Sequence, residues 1–290
     1  MGGTRYFGRN LVFRLLEQGH DITILTTGKT KDPFGNHVER WRASRSNRSQ
    51  MNSVVSNPIF DVVYDQISFS PVDAKIACEI FSGKVGKYIF TSSIYVYEKG
   101  LNHKESDFDP THGKIRMETR NTLNYEEGKR FAEMVYMRYE NMPVVCVRFP
   151  VVIGYKDYTN RFNSHINSII NNEPILIPLP SGQMNVISAE NAGEFLEWIG
   201  TRNHIGPINV ACPDIIRAED LTKMIAESIG KREIILREDK TGHYPVSMYH
   251  QYTDLTVNIS MSKNLGFSAL SISTWLPLEV TKFLKPSVSI

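Results

Sequence analysis

Strand-like and helix-like segments alternate through the first half of the chain, and that alternation limits the fold more than any single residue does. Residues 10–18 place Leu11, Val12, Leu15 and Leu16 on one helical face, and Gly19 ends the run. Residues 21–26 (DITILT) read as a buried strand, and a second short strand is expected near Val38 to Arg42. FDVVY at 60–64, bounded by Asn57-Pro58, predicts another strand. Residues 71–81 predict a helix closed by Gly83, 85–91 a strand, 125–139 a helix and 144–149 a strand. Strands separated by helices need crossover connections, so their sheet should be parallel and covered on both faces. The expected fold class is α/β, a doubly wound parallel sheet.

After Pro150 the texture changes. Pro174, Pro178 and Pro180 punctuate a loop-rich stretch, and short strands near 185–187 and 208–210 alternate with helices over 190–199 and 218–229. Residues 274–284 are amphipathic. The expected division is a main unit over 1–155 and a smaller C-terminal lobe over 156–290, with about 183–204 returning to the main sheet. A length of 290 residues suits one large α/β unit with an appended lobe, and 41% hydrophobic residues suffice for a core.

Lys plus Arg number 33 against 31 for Asp plus Glu, a net charge of +2 that lacks the basic excess of a typical nucleic-acid or membrane binder. The basic run at 40–48 (RWRASRSNR) reads as a solvated loop, with a nucleic-acid role as the lesser alternative. Cys78, Cys146 and Cys212 show no metal-ligand spacing, so no metal is expected. Cys78 and Cys146 lie in apolar contexts and read as core residues in a reducing compartment. No signal peptide opens the sequence and no apolar run reaches the ~18 residues of a spanning helix, so the cytoplasm is the expected address.

Three segments carry chemistry. Gly2-Gly3-Thr4-Arg5-Tyr6-Phe7-Gly8 opens the first helix. Glycines there let the backbone approach a pyrophosphate, and the helix start offers unpaired N–H groups and a positive dipole end. In Tyr125-Glu126-Glu127-Gly128-Lys129, the Tyr and Lys at i and i+4 share a helix face. An ammonium near a phenol favours the phenolate, which could then exchange a proton with a substrate hydroxyl. Ile89-Phe90-Thr91-Ser92-Ser93 ends a strand about thirty residues before the Tyr. Ligands of a parallel sheet gather at the carboxyl ends of its strands, where a hydroxyl can stabilise a reacting oxygen. Each segment alone has a plain structural explanation: a strand-to-helix turn, an exposed helical pair, a polar strand end. Their order and intervals together favour a reaction centre of Ser93, Tyr125 and Lys129.

With these segments, the chain resembles the extended short-chain dehydrogenase/reductase superfamily, specifically the NAD-dependent epimerase/dehydratase family. The likeness runs through GGTRYFG, FDVVYD, KYIFTSSIYVY, YEEGK, VCVRFP with VVIG, NVISAENA and INVA. It implies a Rossmann-like dinucleotide-binding domain followed by a substrate lobe. It also implies the catalytic hydroxyl at Ser93, the general acid/base at Tyr125, and at Lys129 the lysine that holds the nicotinamide ribose and tunes the tyrosine. Cofactor contacts are implied for Gly2, Thr4, Arg5, Tyr6, Phe7, Gly8, Thr27, Lys29, Lys129 and Pro150. The implied partner is a small-molecule substrate, a sugar nucleotide or related polyol; the sequence leaves a homodimer open.

Departures from the pattern refine these expectations. The family's middle glycine is Arg5 here, and Thr26-Thr27-Gly28-Lys29 stands where NAD-preferring members carry an acid, so NADP is at least as well suited as NAD. Ile94-Tyr95 follows Ser93 where the 4,6-dehydratases have Asp-Glu, which argues against that reaction. GGTRYFG with GHDITILTTGKTK also resembles the chloroplast stem-loop RNA-binding proteins, an atypical branch that has largely lost the Tyr/Lys pair retained here. Bacterial relatives of that branch bear isoflavone-reductase-like names, which do not fix a substrate. The reading is an NAD(P)-dependent epimerase, dehydratase or reductase acting on a secondary alcohol or ketone; the rival is a non-catalytic RNA- or partner-binding protein on the same fold. Because residue 1 stands at the glycine turn itself, the first strand of the sheet is expected to be absent from this sequence.

Overall fold

The computed structural model describes residues 1–55, 58–244, 246–251 and 254–285. Asn57, read above as a strand boundary, lies outside the described residues. The chain divides into two compact units. The first comprises residues 1–98, 104–149 and 192–209, the second 99–103, 150–191 and 210–290.

In chain order the elements begin with α1 (Phe7–Glu17), β1 (Thr23–Thr26), β2 (Glu39–Arg42), α2 (Arg48–Val54), β3 (Phe60–Asp65), α3 (Pro71–Phe81) and β4 (Val85–Ser93). Then come β5 (Gly100–His103), α4 (Tyr125–Met137), β6 (Val144–Phe149), β7 (Val151–Ile153), α5 (Arg161–Ile170), β8 (Ile175–Leu176), β9 (Met184–Ser188) and α6 (Ala189–Gly200). The rest are β10 (Gly206–Asn209), β11 (Ile215–Ile216), α7 (Ala218–Ile229), β12 (Ile235–Leu236), β13 (Leu255–Val257), α8 (Ser260–Asn264) and α9 (Ile272–Leu284).

The first unit has a parallel sheet in the order β10-β6-β4-β3 and a separate parallel pair β1-β2. Side chains of β4 alternate between its faces, as a two-residue period requires. Tyr88 and Ser92 reach Tyr136 and Glu133 of α4, whereas Lys87 donates to the Ile199 and Gly200 carbonyls at the end of α6. One face is thus covered by α4 with its neighbours α3 and α2, and the other by α6, whose Gly193 lies against Asn10 and Leu11 of α1. The expected doubly wound α/β arrangement is present. The core between the sheet and α3/α4 includes Ala74, Ala77, Cys78, Tyr88, Phe90, Ala132, Val144 and Cys146. Helix α3 starts where its sequence dictates: Ser70 and Asp73 form a capping box and Pro71 occupies the first turn.

The basic run at 40–48 is not a solvated loop. Arg40 and Arg42 lie on β2, and Arg48 opens α2. Arg45 is buried, with its guanidinium 2.5 Å from Asp65 Oδ2. A charge so placed must be paired, and its partner comes from β3, twenty positions along the chain.

The second unit is built on β9, which pairs with β7, β11 and β13, while β13 continues to β5. Its core gathers Phe162 and Ile166 of α5, Leu221 and Ile225 of α7, and Trp275 and Leu276 of α9. No described helix is long and apolar enough to cross a membrane.

Candidate active site

The carboxyl end of β4 carries Ser93, paired in register with Phe149 at the end of β6. Ser93 is buried; its Oγ accepts from the Tyr95 backbone N–H at 3.3 Å and lies 3.5 Å from the Phe149 carbonyl oxygen. The chain then turns through a short 3₁₀ segment, Ile94–Val96. Tyr95, two residues on, packs edge-on against the Tyr125 ring, with centroids 6.2 Å apart.

Tyr125 is the first residue of α4 because Asn124 caps that helix, its side chain accepting from the Glu127 N–H at 2.8 Å. The ring sits between Phe69 and Tyr95, and the residue is 47% exposed. One turn later Lys129 is buried. Its ammonium donates to the Ser68 carbonyl at 2.9 Å and the Thr91 carbonyl at 2.7 Å, and lies 5.9 Å from the Tyr125 ring centroid. Burial lowers its pKa from 10.5 to about 8, partly offset by the Asp65 carboxylate. Lys129 is thus tied to β4 two residues before Ser93, and Tyr125 meets Tyr95 two residues after it.

A loop missed by the sequence reading underlies this junction. Asp65, at the end of β3, accepts from the Tyr88 hydroxyl at 2.6 Å, the Tyr136 hydroxyl at 2.9 Å and the Ile67 and Ser68 N–H groups. Burial alone would raise its carboxyl pKa, but the Arg45 guanidinium and these hydrogen bonds hold it down. The loop so anchored supplies the Ser68 carbonyl to Lys129 and the Phe69 ring to Tyr125. Gly128 permits the approach: a β carbon there would stand 2.6 Å from the Phe69 carbonyl oxygen. Asp65 closes the FDVVYD segment, and only the rarity of an acid at a buried strand end could have singled it out.

The glycine turn precedes α1. Gly2 and Gly3 take φ of 83° and 87°, which glycine adopts freely. A β carbon on Gly8 would fall on the Gln66 side chain and 3.1 Å from Gly3 Cα, so the turn is as tight as the motif implied. Tyr6 has φ 52° despite its side chain, a strained conformation of the kind that clusters at binding sites. Thr4 and Tyr6 are buried, Phe7 packs on Phe149, and Arg5 is exposed. No side chain caps α1 and its first turn carries no acid, which leaves that helix start suited to an anion.

Thr27 and Lys29 lie exposed in the turn after β1. Arg5 Nε donates to Thr30 Oγ1 at 3.1 Å in the same turn. Arg42, not singled out from the sequence, also reaches it: a β carbon on Gly28 would meet Arg42 Nε at 3.0 Å. Pro150 is buried and begins the second unit.

Comparison with known proteins bears on the family and the fold. The model of the NAD dependent epimerase/dehydratase family matches residues 1–179. Among curated proteins, the chloroplast stem-loop binding protein of 41 kDa b from Arabidopsis thaliana is 31% identical over 140 residues, covering 42% of this chain. The matched region spans only 37% of that relative. Among solved structures, an epimerase from Methanothermobacter thermautotrophicus superposes with TM-score 0.77 at 17% identity, covering 98% of this chain and 90% of its own. The dTDP-glucose 4,6-dehydratase of Bacillus anthracis gives 0.75 at 12% identity, covering 99% and 96%. The UDP-glucose 4-epimerase of Thermus thermophilus gives 0.74 at 15%, covering 98% and 97%. These likenesses establish the Rossmann-like fold, and the family match extends over more than half of the sequence: the chain belongs to the NAD dependent epimerase/dehydratase family.

Proposed function

We propose that the chain is an NAD(P)-dependent epimerase or reductase acting on a secondary alcohol or ketone, most simply that of a sugar nucleotide. The observation that carries this reading is Lys129: a buried ammonium near a half-exposed tyrosine, fixed to β4 at Thr91, two residues before the strand-end Ser93. The 4,6-dehydratase reaction fits less well, because Ile94-Tyr95 replaces the acidic pair after the active-site hydroxyl.

The residues suit a dinucleotide: the glycine turn and uncapped α1 start would hold the pyrophosphate, and Lys129 the nicotinamide ribose. A bound nicotinamide supplies the hydride acceptor and donor. Tyr125 would take the proton from the substrate hydroxyl or return it to a carbonyl oxygen. The positive charge of Lys129 favours the phenolate that does so. Ser93 Oγ would donate to the same oxygen and hold it against the phenol. Holding Lys129 by two carbonyls fixes its position without neutralising it.

The test is turnover of UDP-glucose and dTDP-glucose, followed by product analysis and reduced-nicotinamide absorbance, for wild type and Tyr125→Phe. Wild type should turn over at least one sugar nucleotide, and Tyr125→Phe should fold normally with a rate lower by ~10²-fold or more. Equal rates would remove Tyr125 from the reaction. The stem-loop binding relative favours a second reading, a non-catalytic binding role on the same fold. Tight binding of a nucleic-acid stem-loop, with no nicotinamide dinucleotide bound, would establish that role instead.

A further inference from the structure

Arg120, Phe69, Tyr125 and Tyr95 form a continuous stack within the first unit. The Arg120 guanidinium carbon lies 5.0 Å from the Phe69 ring centroid, Phe69 and Tyr125 are 5.7 Å apart centroid to centroid, and Tyr125 and Tyr95 6.2 Å. The sequence motifs do not include Arg120, five residues before Tyr125. Its charge nevertheless reaches the buried Lys129, where it adds to the effects that lower the ammonium pKa.

Local structure holds Arg120 in that place. It follows Thr119 in a turn closed by the Thr122 N–H on the Thr119 carbonyl at 3.2 Å, and Leu123 is buried just before Asn124 caps α4. Its platform is also fixed: the Phe69 N–H donates to Asp73 Oδ2 at 3.3 Å, and the Phe69 ring lies against Gly128. The neighbouring arginines are spent on the protein itself. Arg116 binds Glu118 at 2.8 Å and Glu127 at 2.7 Å, Arg130 binds Glu98 at 2.9 Å, and Arg138 donates to the Pro110 and Gly113 carbonyls. Arg116 thereby occupies the acids that could otherwise pair with Arg120. The Arg120 guanidinium is exposed and makes no ion pair or hydrogen bond among the described residues. A ring face orients a guanidinium plane but leaves the N–H groups at its edge for a ligand.

We infer that Arg120 determines specificity by binding an oxyanion of the substrate, either the pyrophosphate of a sugar nucleotide or a carboxylate on its sugar, while Tyr125 meets the reacting hydroxyl. The inference rests on the reading of Tyr125 as the group that moves the proton. In that reading the glycine turn takes the pyrophosphate of the dinucleotide, which leaves the substrate as the source of an anion for Arg120. A guanidinium edge matches a carboxylate or a phosphate in shape as well as charge. Stacking on Phe69 orients that edge before the ligand arrives, so less freedom is lost on binding. An uncompensated cation beside Tyr125 also draws an anionic substrate in preference to a neutral alcohol.

The test is calorimetric titration of wild type, Arg120→Leu and Arg120→Lys with UDP-glucose and with UDP-glucuronic acid, which differ by a carboxylate, in the presence of NADP. KM and kcat are read for whichever nucleotide is turned over. Arg120→Leu should raise Kd and KM by roughly tenfold and change kcat much less. Arg120→Lys, which keeps the charge without the fork, should recover part of the loss. An equal loss for both nucleotides assigns the pyrophosphate, and a loss for UDP-glucuronic acid alone assigns the carboxylate. Unchanged binding of both by Arg120→Leu overturns the proposal. So does a matching loss of NADP affinity, which would put the guanidinium on the cofactor. A lowered melting temperature with kcat reduced and KM unchanged also overturns it, since Arg120 would then only brace the start of α4. A wild type that binds neither nucleotide overturns the sugar-nucleotide reading and the proposal together, whereas wild-type binding that Arg120→Leu retains overturns the proposal alone.

Discussion

Ser92 Oγ donates to Glu133 Oε2 at 2.6 Å, tying the strand that ends at Ser93 to the helix that carries Tyr125 and Lys129. The same carboxylate accepts from Arg148 Nε at 3.0 Å, and both charged side chains are fully buried. Arg148 in turn donates to the Tyr97 hydroxyl at 2.7 Å, so the segment from Ser92 to Tyr97 is pinned at both ends. Glu133→Gln keeps the shape but leaves a buried guanidinium without its counter-charge. Denaturant unfolding should show a loss on the order of 3–5 kcal/mol. Ser92→Ala removes one hydrogen bond to a charged group and should lose about 1.5–3 kcal/mol. A Glu133→Gln protein within ~1 kcal/mol of wild type would mean that the pair does not hold the two elements together.

Gly128→Ala sets two effects of opposite sign against each other. Alanine in a helix interior is favoured over glycine by about 1 kcal/mol. Here its β carbon would stand 2.6 Å from the Phe69 carbonyl oxygen, a backbone atom that cannot rotate away. The clash should win, with a net destabilisation of about 1–3 kcal/mol. Because α4 must move off the loop that supplies the Ser68 carbonyl, turnover should also fall. A raised melting temperature would show that the helix and loop separate freely.

Lys129 gives a pH dependence whose sign is fixed by its burial. Its pKa falls from 10.5 in the unfolded chain to about 8 in the folded one, so between those values the unfolded state binds more protons. Stability should therefore rise with pH across that window. The full penalty of burying the charge stands below pH ~8 and is gone above ~10.5, a difference of about 3 kcal/mol. Lys129→Met has no such group. The stability difference between wild type and Lys129→Met, measured by denaturant titration across this window, isolates the effect from other titrating groups. A difference that does not change with pH would mean the ammonium is hydrated in the folded protein.

Several elements were legible in the sequence because their causes are local. Helix α3 runs over the expected residues, since Ser70, Pro71 and Asp73 define its start within four positions. Strand β6 covers the expected residues 144–149. Tyr125 and Lys129 share a face by helix period alone, and the Lys129 ammonium is bonded to the Thr91 carbonyl of β4. What escaped was set by distant partners. Arg45 reads as one more cation in a basic run until Asp65 is brought to it by the sheet. Helix α2 follows at once, although Asn47 accepting from the Gln50 N–H is an ordinary cap that the surrounding charges masked. Helix α5 buries Phe162, His165, Ile166 and Ile169 at helical spacing, but it begins after a left-handed Asn160 in a stretch rich in polar residues. The anchoring role of Asp65 depends on Tyr88 and Tyr136 arriving from two other elements, which no local pattern encodes.

Cofactor preference follows from the turn after β1. Thr26 and Thr27 stand where a carboxylate would repel a 2′-phosphate, and Thr26 Oγ1 instead accepts from the Gly28 N–H at 3.1 Å. Arg5 reaches this turn through Thr30, Arg42 lies against Gly28, and Lys29 belongs to it. Guanidinium groups match phosphate oxygens in geometry as well as charge. The nearby acid, Asp32, is engaged by Arg40 at 2.6 Å, which lowers its pKa and keeps it from competing for the other cations. Calorimetric titration should therefore find NADP bound at least as tightly as NAD. Arg42→Ala should weaken NADP by roughly tenfold, or ~1.4 kcal/mol, and leave NAD nearly unchanged. Because Arg5, Lys29 and Arg42 are exposed, the NADP advantage should shrink as salt is raised. NAD binding more than about tenfold tighter than NADP would show that these cations do not face the ribose, and an equal loss of both cofactors in Arg42→Ala would assign Arg42 to the turn's structure rather than to the 2′ position.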